Sequence, residues 1–139
     1  MRLIRSDRGA AFLEFALAWP VALLLVLGSV ELAVWGSESF AARSSALAGA
    51  RAGSVAGSNP GVAALVTIRA LSPSLVGVQA GIWCPGKGGV SPPVWVCATD
   101  LGPSVQVDVG GSVPALVPIR AAGLPLHAHV AVRKEAFTR

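Results

Sequence analysis

Residues 8–35 read RGAAFLEFALAWPVALLLVLGSVELAVW, and no charge interrupts the run from Phe15 to Val30. At about 1.5 Å of rise per residue, roughly 20 apolar residues cover the hydrocarbon core of a bilayer, so this stretch predicts one membrane-spanning helix. A chain of 139 residues then has room for that helix and one small further domain. Arg2, Arg5 and Arg8 precede the span. By the positive-inside rule they keep the N-terminus cytoplasmic and send everything beyond Trp35 outside. Glu14 is the anomaly, because a carboxylate in hydrocarbon costs a few kcal/mol or more and calls for a cation.

Advancing each residue by about 100° places Ala11, Ala18, Ala22, Ser29, Ala33 and Gly36 on one face of the helix. Small residues on one face let membrane helices approach closely, and Ala18 with Ala22 has the small-xxx-small spacing. Pro20 removes one backbone donor and can bend the helix. Glu31 and Glu38 share a face seven residues apart and read as solvated helix-end carboxylates. Trp35 falls where an interfacial aromatic anchor is expected.

From Ser37 to Ala52 the sequence is rich in alanine and free of proline, so the helix is expected to continue into the outer domain. The cluster at 53–60 breaks it. Asn59 then reads as an N-cap with Pro60 at the first helical position, opening a short helix closed by Ser72 and Pro73. Beyond it the period changes to two. Strands are expected at Leu75–Trp83, Val94–Ala98, Val105–Val109 and Leu126–Arg133, with an irregular crossover over Gly110–Pro125. The fold class is α+β: a long N-terminal helix carrying a head with a short helix and a small antiparallel sheet of about four strands.

Cys84 and Cys97 are the only cysteines. Outside the cytoplasm they read as a disulfide closing a hairpin. Two cysteines alone do not make a metal site, and His127 and His129, alternating on one strand face, read as solvated. The net charge of +4 comes largely from the leader arginines and scattered residues, not from the clustered patch that nucleic acid requires. No nucleotide loop or catalytic triad is apparent, so neither an enzyme nor a cofactor is expected. A secretory signal peptide would have a shorter apolar region, and the nearest A-x-A-like site, Ala46 to Ala48, is distant.

Gly9, the apolar residues Ala10 to Leu13, then Glu14 and Phe15, all behind a basic leader, resemble the processing site of type IV prepilins and pseudopilins. The resemblance implies a cut between Gly9 and Ala10 by a prepilin peptidase. It also implies pairing of Glu14 with the new Ala10 amine in a bundle of packed helices. With Pro20 six residues after Glu14, an alanine-rich stretch containing Arg51, and an end strand reaching Arg133, Lys134 and Glu135, the chain looks like the TadE-like minor pseudopilins of the tight-adherence pilus system. That likeness implies a removed leader at 1–9, a transmembrane and assembly helix at 10–36, and an extracytoplasmic head at 37–139. The partners it implies are other pilins, an inner-membrane assembly platform and lipid. The alternative is an unprocessed membrane-anchored binding module.

Overall fold

The computed structural model describes residues 8–116 and 123–134, with side chains from Phe12 onward. One helix, α1 (Arg8–Ser54), runs unbroken for 47 residues through Pro20. It is followed by α2 (Pro60–Leu71), a single 3₁₀ turn at Ser72–Ser74, and four strands: β1 (Ala80–Ile82), β2 (Val94–Asp100), β3 (Ser104–Val113) and β4 (Leu124–Arg133). The architecture is the α+β arrangement expected.

Two different environments divide α1. From Phe12 to Val30 its side chains are almost all exposed, Leu17 at 69% and Leu25 at 71% among them. This stretch is long and apolar enough to cross a membrane. From Glu38 onward one side of the helix is buried: Ala42, Ala46 and Ala50 enter a core shared with Ala63, Ala64 and Leu71 of α2. Alternate valines of the sheet close that core, Val94 and Val96 from β2 and Val105, Val107 and Val109 from β3. Small helix residues opposite branched strand residues explain why so short a head packs densely. Helices α1 and α2 approach closely at Gly49, where any Cβ would run into Thr67 and the Ala63 carbonyl.

The caps follow the sequence. Asn59 takes an extended conformation, and its side chain accepts from the Val62 amide at 3.0 Å. Pro60 follows at the first helical position, where its missing N–H costs nothing.

The sheet order is β1-β2-β3-β4. Strands β2/β3 and β3/β4 pair antiparallel, but β1 runs parallel to β2, in the register Ala80↔Val94 to Ile82↔Val96. Residues 83–93 therefore cross back to the start of β2 instead of turning a hairpin. The first strand is also shorter than the Leu75–Trp83 expected, because the 3₁₀ turn and Gly77, at φ +74°, hold the chain out of the sheet until Ala80. Strand β3 instead runs on to Val113 through Gly110 and Gly111, which the sequence reading assigned to an irregular crossover. The reason is steric. A side chain on Gly110 would collide with the Trp95 indole, and Gly111, at φ +131°, leaves the Pro93 carbonyl free to accept from the Ser112 amide at 2.9 Å.

Candidate functional site

The membrane-length half of α1 carries the residues singled out for assembly. Gly9, Ala10 and Ala11 lie in the first turn, where no side chains are described, and residues 1–7 of the expected leader lie outside the described residues. Glu14 is exposed and has no ion-pair partner among the described residues. Phe15 stacks on Trp19 one turn later, with ring centroids 5.9 Å apart. Ala18, Ala22, Ala33 and Gly36 are exposed, and Ser29 is exposed with its hydroxyl donating to the Val26 carbonyl at 2.7 Å. At about 100° per residue these small residues fall on the side of α1 opposite Glu38, Ala42 and Gly49. The head packs on one side of the helix and leaves the small face open.

Glu31 and Glu38 correct the sequence reading. Glu38 is only 3% exposed and accepts from the Val76 amide at 3.0 Å. Glu31 accepts from the Leu116 amide at 2.8 Å, and the Trp35 indole donates to the Pro125 carbonyl at 2.9 Å. Glu31 and Glu38 are therefore not simply solvated carboxylates. With Trp35 they tie three segments of the head to the middle of α1: the two carboxylates accept from loop amides, and the indole donates to a carbonyl near the start of β4, because such backbone groups need partners. Their shared helix face was the available signal. Their partners, remote in sequence, gave none.

The disulfide joins Cys84, just past β1, to Cys97 in β2, with Cα atoms 4.8 Å apart. It staples a parallel crossover, not the hairpin expected. Beside it Trp83 meets Trp95 edge-on at 5.8 Å. On the same outer face, Asp108 lies directly opposite His129, whose Nδ1 is 2.6 Å from Oδ1, while Gln106 donates to Oδ2. His127 stands opposite Gly110 instead, so the two histidines do not share a partner. Among the described residues no three metal-ligating side chains converge.

No family model, curated protein or solved structure matches this chain. Helix α1 has an exposed, membrane-length first half carrying Glu14 and the small face, and a second half fixed to a disulfide-stapled head.

Beyond the hairpin turn at Asp100, Lys134 closes the sheet by placing its ammonium 2.7 and 2.8 Å from the two carboxylate oxygens. That pairing, helped by the Gly102 amide, holds the Asp100 carboxyl below its usual range.

Proposed function

We propose that this chain is a membrane-anchored, pilin-like structural subunit of the kind that TadE-like minor pseudopilins represent in tight-adherence pili. The observation that carries the reading is the single α1 helix, whose apolar first half is exposed while its second half forms the spine of the head. Pilin-like subunits assemble through such a helix. A small head that needs a disulfide fits an oxidising compartment, which puts the head outside the cytoplasm and the basic leader inside.

On this reading a prepilin peptidase cuts after Gly9, and Glu14 answers the Ala10 amine of a neighbouring subunit within a bundle of helices. Removing one member of a buried ion pair costs about 3–5 kcal/mol, because the other charge is stranded. Glu14→Leu should still insert and still be cut, yet fail to crosslink into complexes with other pilins. Glu14→Asp should be intermediate, since its charge remains and its reach shortens. If Glu14 only reaches the headgroups beside Arg8, Glu14→Leu will insert better and assemble normally, and the assembly role is then wrong.

A further inference from the structure

Among the described residues, strand β4 is the last strand of the sheet, and one of its edges carries no partner strand. The pairing shows which of its backbone groups face that edge. The Lys134 amide donates to the Pro103 carbonyl of the β3 side at 2.9 Å, so residues of even number turn their backbone groups inward and those of odd number turn them outward. The Pro125 carbonyl, bound by Trp35 from outside, agrees. His127, His129 and Ala131 therefore offer amides and carbonyls to the open edge, and all three residues are exposed.

The edge is bounded at both ends. Pro125 has no amide to offer and its carbonyl is taken, while Arg133 and Lys134 place charge at the far end. Such devices normally protect an edge from pairing. Between them, however, His127, His129 and Ala131 keep their outward backbone groups open. Alongside runs a groove of about 460 Å³ lined by Phe40, Arg43, Ser44 and Leu47 of α1 and by His129 and Val130. Phe40 is 75% exposed. Arg43 is exposed and has no ion-pair partner among the described residues.

We propose that this edge is a docking site for an extended segment of a partner protein, which joins the sheet as a fifth strand, sets a carboxylate on Arg43 and packs an apolar side chain against Phe40 and Leu47. Strand addition supplies affinity through main-chain bonds, and side pockets supply selectivity. The unpaired edge accepts only an extended chain, and Arg43 in the groove wall selects an acidic one.

A second copy of β4 paired antiparallel does not fit this edge. Trp35 meets Pro125, and Arg43 lies by His129. The helix advances about 12 Å between its two contacts and the strand about 13 Å, so α1 and β4 run side by side in the same direction. Antiparallel pairing of two β4 edges would point their α1 helices in opposite directions. Copies anchored in one membrane through α1, as proposed above, cannot do this. Only that exclusion rests on the anchoring; the docking site itself does not require cleavage after Gly9.

The test uses the full chain in detergent micelles and two capped nine-residue peptides of alternating valine and threonine, one with a central glutamate and one with a central lysine. The glutamate peptide should bind at least about tenfold tighter, the scale of one charge-assisted contact. It should also slow amide exchange at His127, His129 and Ala131. Arg43→Glu should reverse the preference between peptides. N-methylating the peptide on its pairing edge should abolish binding without touching the protein, and Ala131→Pro should do the same from the protein side while Ala131→Thr does not. Unchanged exchange at these amides with either peptide, or binding indifferent to N-methylation, overturns the proposal. Self-association lost on Ala131→Pro would also overturn it, by making the chain its own occupant.

Discussion

Gly49 offers the sharpest test of how α1 and α2 meet. In an ordinary helix, replacing glycine by alanine gains up to about 1 kcal/mol. Here the new methyl would stand 2.5 Å from the Ala63 carbonyl oxygen and 3.1 Å from the Thr67 Cβ, with the Thr67 hydroxyl closer still. That hydroxyl is fully buried and donates to the Ala63 carbonyl at 2.8 Å. Relieving the clash must either part the helices or turn Thr67 away from its acceptor. Overpacking costs about 1–3 kcal/mol, and a stranded buried hydroxyl about as much again. The net expectation for Gly49→Ala is a loss of about 1–3 kcal/mol, or roughly 5–15 °C in the melting temperature of a head this size. Gly36→Ala is the matched control, because a methyl there meets nothing within 4 Å and should be neutral or stabilising by up to about 1 kcal/mol. Near-UV circular dichroism of the detergent-solubilised chain follows both melts. Equal or greater stability for Gly49→Ala would refute the close crossing.

Further outcomes follow from the ties between helix and head. Glu38→Leu leaves the Val76 amide without its acceptor and should cost about 1–3 kcal/mol in denaturant titration, with Glu38→Gln milder because an acceptor oxygen remains. Reducing the Cys84–Cys97 bond, which spans 13 residues, should lower head stability by about 3 kcal/mol while the apolar half of α1 keeps its far-UV signal; an unchanged midpoint after reduction counts against it. The lowered Asp100 pKa means that its pairing with Lys134 favours the fold above the unfolded value of 3.8 and loses that effect as pH falls through the lower folded value. The stability gap between wild type and Asp100→Asn should therefore shrink in acid below pH 3.8, and a gap that widens there would contradict the assignment.

The elements with local signals were legible in the sequence. The apolar run and the alanine-rich continuation marked α1, and Asn59–Pro60 marked the start of α2, because caps and membrane-length runs are decided within a few residues. Valine alternation located β2, β3 and β4 to within a few residues. What failed was non-local. Two cysteines at a short spacing look the same whether the intervening chain turns a hairpin or crosses back in parallel. Gly110 and Gly111 read as a strand end, and only the position of Trp95 shows why glycine continues the strand there. Glu31, Trp35 and Glu38 looked like surface residues because their backbone partners lie 85, 90 and 38 residues away. The open edge of β4 was hidden as well, since strand order is not written in any one strand.

The reading as a processed, pilin-like subunit stands or falls on the N-terminus of the protein taken from membranes. Intact mass and N-terminal sequencing of that material should show a chain beginning at Ala10, and a bulky residue in place of Gly9 should leave the leader attached. A membrane-extracted protein that is assembled with its partners and still begins at Met1 would contradict the account and leave an unprocessed, membrane-anchored binding module in its place.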